Sequence, residues 1–154
     1  MEPGGLKNVD TVEIPAVPVF SWSVGNFMEK FFDGLKDGKL MGIKCPKCGR
    51  VYLPPRMICE RCFTENEEWV ELPLEGTVES FTIAHVKVGD DGELEDLETP
   101  ETIGMVKHKG ADTCIVARIE GLDPADAGVG MRVTVVIDKS AENILDVLSH
   151  YVPC

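Results

Sequence analysis

The chain has 154 residues, 44% of them hydrophobic, enough for one domain or two small ones with a real core. A formal net charge of −12 argues against a general nucleic-acid binder, which needs a surface that neutralises phosphates. No run of about 18 apolar residues occurs, so no membrane span is expected. The N-terminus lacks the charged-then-apolar order of a secretory signal, which points to the cytoplasm.

Residues 1–20 read as an extended arm. Pro3, Pro15 and Pro18 punctuate it, and Ile14, Val17 and Val19 follow no helical period. Over residues 21–39, Phe27, Met28, Phe31, Phe32 and Leu35 recur at helical spacing and form one apolar stripe. Ser23 can cap the helix start and Gly38 can end it. The stripe has two readings. It packs on the rest of the chain, or Phe27, Phe31 and Phe32 dock on a partner protein.

Residues 40–68 hold four of the six cysteines in two Cys-x-x-Cys pairs, Cys45/Cys48 and Cys59/Cys62. Such clustering in a reducing compartment points to metal rather than disulfides. Each pair can wrap one edge of a tetrahedral ion, and Gly49 can take the left-handed conformation that such a knuckle wants. The spacer between the pairs is expected to run as a strand, a turn at Pro54-Pro55 and a strand back. Four thiolates suit one structural Zn2+ per chain and leave no open position for catalysis. Iron also accepts four thiolates, as in a rubredoxin-type electron carrier. Phe63, however, stands where a glycine would help the second knuckle. In so small a module the metal supplies much of the folding free energy.

The ribbon is locally basic. From Lys36 to Cys62 seven bases face two acids, an excess of +5. A centre of four thiolates and one Zn2+ lowers this by two. Lysines beside such a centre often only offset thiolate charge. The sharper reading gives Lys44, Lys47, Arg50 and Arg56 an anionic ligand or an acidic partner.

Residues 69–154 read as β-rich. "GTVESFTIAHVKVG" is a long strand with a bend, "ETIGMVKHKG" and "DTCIVARIEGL" are two strands joined at residues 109–112, and "RVTVVID" is a fourth. "DPADAGVGM" reads as a loop, and alternation in Val147–Val152 favours a last strand. Short strands in this number suggest a small closed barrel. Gly89–Glu101, with seven acids and no base, is expected as a long exposed loop. His85, His108 and His150 have no neighbours at ligand or catalytic spacing and read as surface or satisfied strand residues. Cys114 reads as a small buried residue and Cys154 as a free terminal thiol. No phosphate loop, dinucleotide fingerprint or nucleophile elbow is present.

The order of these parts carries a resemblance. An aromatic helix leads into "CPKCGRVYLPPRMICERC", then a Trp-bearing joint "EWVELPLEGTVESFTIAH", then short strands ending in "GVGMRVTVVID". Over about Phe20 to Val152 this resembles the acyl-CoA-associated family long catalogued as a domain of unknown function and found with thiolases. The resemblance implies a mainly β protein with an N-terminal helix, a rubredoxin-like zinc ribbon and an OB-fold barrel. It implies a non-catalytic subunit that assembles with a thiolase-type protein, the partner carrying the catalytic cysteine and histidines. In archaeal mevalonate synthesis such a subunit joins acetoacetyl-CoA thiolase to HMG-CoA synthase. Other members accompany enzymes of steroid side-chain or toluene breakdown, the latter through benzoylsuccinyl-CoA. The resemblance implies that the subunit helps shape the acyl-CoA site or the complex. The ribbon cysteines carry over as Cys45, Cys48, Cys59 and Cys62.

The alternative is a nucleic-acid-binding module, because ribbons and OB folds both bind nucleic acids elsewhere. Against it, the barrel half is acidic and has only Phe81 and Tyr151 as aromatics after Trp69.

Overall fold

A computed structural model describes residues 23–89, 92–141 and 147–154. The expected N-terminal arm lies outside them.

Helix α1 spans Gly25–Lys36. Its N-cap residue is Val24, one position beyond the expected Ser23, whose Oγ still accepts from the Gly25 N–H at 3.3 Å. The helix ends as expected. Gly38 takes φ 81°, and the Gly38 and Lys39 N–H groups close back on Leu35 and Gly34 at 2.7 and 2.8 Å. The packing reading of the stripe is the one realised. Phe31 and Phe32 are 2% and 4% exposed and Leu35 is fully buried, all in the chain's own core, so neither phenylalanine is left to dock on a partner. Phe27 is half-buried and stacks on Trp69 at 6.1 Å between ring centroids.

Three short strands follow: β1 (Leu40–Lys44), β2 (Val51–Tyr52) and β3 (Glu68–Leu72). They form an antiparallel sheet in the order β2-β1-β3. Residue 69, expected to open the barrel, thus lies on a strand of the ribbon sheet. The spacer between the cysteine pairs also differs from expectation. Its first residues form β2, which returns along β1 through the Cys45–Gly49 knuckle, with Ile43 opposite Tyr52. The knuckle is itself the hairpin turn, so the rest of the spacer runs irregularly to an isolated bridge between Ile58 and Glu65.

The remaining strands are β4 (Glu75–Val88), β5 (Leu94–His108), β6 (Cys114–Ile119), β7 (Arg132–Ile137) and β8 (Leu148–Pro153). They close a barrel in the order β4-β5-β6-β8-β7, with β7 returning to β4. β6 and β8 run parallel and the other pairs antiparallel. Residues 124–126 form one 3-10 turn between β6 and β7. Register shifts at Val78/Ser80 and Ala84/Val86 give β4 its expected bend.

The acidic stretch is not a long loop. Leu94–Glu101 belongs to β5 and continues the β4 hairpin, with Lys87 opposite Glu95 and Val88 opposite Leu94. Strand pairing needs only backbone groups, so acids are tolerated where both faces meet water. Lys87 also pairs with Glu95 at 2.8 Å.

One continuous core joins ribbon and barrel. Phe31, Phe32, Leu35, Leu40, Leu53 and Leu72 pack in the same cluster as Val78, Val106, Ile119, Val133 and Tyr151. Backbone contact adds to it. The β5–β6 turn caps the free edge of β2: Val51 N–H donates to Asp112 Oδ2 at 2.8 Å, and Leu53 N–H to Thr113 Oγ1 at 2.7 Å. At Gly76 any side chain would force a shift, since a Cβ would press on Val106 and sit 3.1 Å from the Lys107 carbonyl oxygen.

Candidate metal centre

The two knuckles share one hydrogen-bond pattern. Gly49 N–H donates to Cys45 O at 2.9 Å and Cys45 N–H to Arg50 O at 2.9 Å. In the second, Phe63 N–H donates to Cys59 O and Cys59 N–H to Thr64 O, both at 2.9 Å. Gly49 takes φ 74° and Phe63 takes φ 54°. Among the described residues Phe63 is the one non-glycine with positive φ, and its ring is 83% exposed.

The knuckles bring Cys45, Cys48, Cys59 and Cys62 together, with all four Sγ atoms within 4.8 Å of one another. Cys48 and Cys59 sulfurs stand 3.7 Å apart. Zinc–sulfur bonds of about 2.3 Å in a tetrahedron require sulfur separations of about 3.8 Å, so the cage fits such an ion with little adjustment. Cys45 and Cys59 are buried, Cys62 is intermediate and Cys48 exposed.

Two of the four thiols, Cys59 and Cys62, are shifted in opposite directions. A hydrogen bond from Tyr52, helped by the Arg61 and Cys62 backbone, holds the Cys59 thiol down to about 6. The Cys62 thiol is pushed up to about 12 by its hydrogen bond with Cys48, by burial and by Cys59. Thiols that oppose one another's ionisation in this way are what a dication relieves. These residues would hold the metal through four protein ligands, so it would supply structure rather than an open coordination position.

Tyr52 is the residue that spacing alone did not reveal. It is fully buried, and its hydroxyl lies 3.3 Å from Cys59 Sγ and 3.3 Å from the Glu60 N–H. Burial and Cys59 push its phenol up to about 12, so it stays protonated. Asn66, also buried, donates from Nδ2 to Arg56 O at 2.8 Å and ties its backbone N–H to Met57 O, pinning the second knuckle.

The four candidate basic residues do not converge on an open anion site. Lys44 pairs with Glu68 across β1 and β3 at 3.1 Å. Arg50 and Arg56 hold the two oxygens of Glu60 at 3.2 and 3.4 Å. Their guanidinium carbons lie 5.7 and 5.9 Å from the Tyr52 ring centroid. Lys47 is exposed and has no ion-pair partner among the described residues.

Elsewhere, His108 is fully buried and satisfied. Its Nδ1 bonds Pro73 O at 2.8 Å and its Nε2 meets Tyr151 Oη at 2.9 Å. His85 is exposed, and His150 lies 3.7 Å from Glu120. Cys114 is half-buried rather than buried, and Cys154 is exposed. Among the described residues, the four ribbon cysteines are the one cluster with metal-ligand geometry. No helix among them is long and apolar enough to cross a membrane.

Comparisons with known proteins agree with this arrangement. Residues 32–68 match the family described as the ChsH2 rubredoxin-like zinc ribbon domain, and residues 69–138 match the ChsH2 C-terminal OB-fold domain. A DUF35 domain-containing scaffold protein of Methanocaldococcus jannaschii is 31% identical over 106 residues, covering 68% of this chain and 71% of that one. A DUF35-family crystal structure from Sulfolobus solfataricus, of unknown function, shares 34% identity at a TM-score of 0.59, covering 73% of this chain and 78% of that one. The Ltp2-ChsH2(DUF35) aldolase superposes with a TM-score of 0.62 at 21% identity, covering 86% of this chain and 96% of that one, a likeness of fold. Ribbon and barrel match one family in their natural order, and the chain belongs to that ChsH2 (DUF35) family of zinc-ribbon and OB-fold proteins.

Proposed function

We propose that this protein is a non-catalytic accessory subunit of a thiolase-type complex in acyl-CoA metabolism. Its ribbon carries one structural Zn2+ on Cys45, Cys48, Cys59 and Cys62. The partner performs the carbon–carbon bond cleavage or condensation of a 3-oxoacyl-CoA, such as benzoylsuccinyl-CoA or acetoacetyl-CoA. The observation that carries this reading is the family match across both modules, in company with relatives named as scaffold proteins. The site chemistry supports it, because a closed four-thiolate cage offers a substrate no open position. Contact with a CoA phosphate, where this chain makes one, falls to Lys47, since Lys44, Arg50 and Arg56 are already spent on carboxylates.

The nucleic-acid alternative is disfavoured by the barrel's outer face. There β5 and β6 present Ile103, Met105 and Val116, and Arg118 stands between Glu101 and Glu120. A single-strand groove needs cations interleaved with aromatics.

The test is purification of the untagged assembly from the native host through this chain, with mass spectrometry of what accompanies it. A thiolase-type chain in fixed stoichiometry is expected. Recovery of this chain alone, or a low-salt gel shift with single-stranded nucleic acid, would overturn the proposal.

A further inference from the structure

We propose that Tyr52 is an outer-shell positioning residue of the metal centre. Its hydroxyl donates to the Cys59 thiolate and sets how strongly that sulfur binds the ion, while Arg50 and Arg56, clamped by Glu60, hold it in place.

The direction of the hydrogen bond follows from valence. The Glu60 backbone N–H can only donate, so at 3.3 Å it occupies a lone pair of the Tyr52 oxygen. The one O–H of the phenol is then free for its other neighbour, Cys59 Sγ, also at 3.3 Å. A thiolate accepts such a bond more strongly than a thiol does, so the contact gains strength when a metal is bound. The tyrosine is fully buried.

Arg50 and Arg56 explain why the ring stays there. Each lies within 6 Å of the ring centroid, as a cation–π contact requires, and each holds one oxygen of the same Glu60 carboxylate. Cations against the ring also draw electron density from the phenol and sharpen its O–H as a donor. The chain of contact therefore runs from two arginines through Glu60 and Tyr52 to one sulfur. Among the described residues no other side-chain hydroxyl bonds a sulfur of the cage, so the centre is electronically asymmetric. Arg50 and Arg56 thus serve the metal from behind. Outer-shell partners of this kind typically change metal affinity about 10- to 100-fold.

The test loads the full-length chain with Co2+ and reads the sulfur-to-cobalt charge-transfer band, with affinity measured by chelator competition. A hydrogen bond stabilises the sulfur electrons and raises the transition energy. Tyr52→Phe keeps the ring and removes only the hydroxyl. The band is expected to move to lower energy and Co2+ binding to weaken about tenfold. Glu60→Gln should move the band the same way by less. A variant that cannot fold would leave a second route. Uniform 3-fluorotyrosine acidifies both tyrosines of the chain, Tyr52 and Tyr151, of which Tyr151 bonds His108 in the barrel. The stronger donor at position 52 should move the band to higher energy. A band unmoved by fluorination, or unmoved in a folded Tyr52→Phe protein, would overturn the proposal.

Discussion

Ribbon and barrel solve the same problem by different means. The barrel buries Val78, Val106, Ile115, Ile119, Val133, Val135 and Tyr151 within a closed set of strands. The ribbon's own buried cluster is Ile43, Cys45, Tyr52 and Cys59, two of which belong to the four-cysteine cage. The other face of its sheet leans on α1 and the barrel through Leu40, Leu53 and Leu72. The barrel can therefore stand on packing, whereas the ribbon leans on the barrel at one end and would be held by an ion in its cysteine cage at the other. Four bonds to one ion would replace a core that residues 40–72 are too few to build.

Metal removal should break this comparison most visibly. Chelation, or Cys59→Ser, is expected to abolish hydrogen-exchange protection across residues 42–66 while β4 to β8 keep theirs. Equal loss in both regions would mean that the barrel depends on the ion too. The shared core comes next. Leu35 is fully buried where helix, ribbon and barrel meet, and Leu35→Ala should cost about 2–5 kcal/mol in denaturant unfolding.

A pH effect of intermediate size should come from the barrel side of the joint. Burial depresses the pKa of His108 below the usual histidine value, although Pro73 and Glu75 backbone contacts oppose this. The folded protein then binds fewer protons than the unfolded chain between the depressed value and about 6.5, the ordinary one. His108 thus contributes stability that is present above about pH 6.5 and is lost as the pH falls through the folded value. Thermal melts of the wild type and of His108→Gln from pH 8 to pH 5 should show a steeper decline in the wild type. Parallel curves would remove His108 from the account.

The smallest expected effect sharpens the comparison between the two knuckles. Phe63 sits at φ 54° with its ring in solvent, whereas Gly49 makes the same turn without strain. Left-handed backbone costs a non-glycine about 1–2 kcal/mol, partly offset by the greater freedom that glycine loses on folding. Phe63→Gly should therefore stabilise the metal-loaded protein by about 0.5–1 kcal/mol in denaturant unfolding. Destabilisation would show that the exposed ring makes a contact within the fold.

What could be read from the sequence was local. The cage follows from two Cys-x-x-Cys pairs because each knuckle closes within six residues, from Cys45 to Arg50 and from Cys59 to Thr64. The barrel strands follow from alternation wherever one face is buried, as in Ile115 and Ile119 of β6. The first half of β5 escaped because neither face of the hairpin extension is buried, so Leu94–Glu98 carries no alternating signal. The basic residues misled for a related reason. Their charge was legible, but their acidic partners Glu60 and Glu68 were assigned only by the fold. Phe31 and Phe32 looked like a docking stripe because a short helix beside a small ribbon has nothing large to cover it. The barrel, which follows in sequence, covers it in space. Tyr52 and Asn66 act through contacts made only after both knuckles close.

On the proposed reading, a metal-held ribbon makes this chain a working part of another protein's enzyme. The most direct measurement takes the captured thiolase-type partner, strips this chain from it, and assays acyl transfer before and after adding the chain back. Activity should fall on stripping and return with the zinc-loaded wild type but not with Cys59→Ser. Partner activity indifferent to this chain, or turnover by this chain alone, would contradict it.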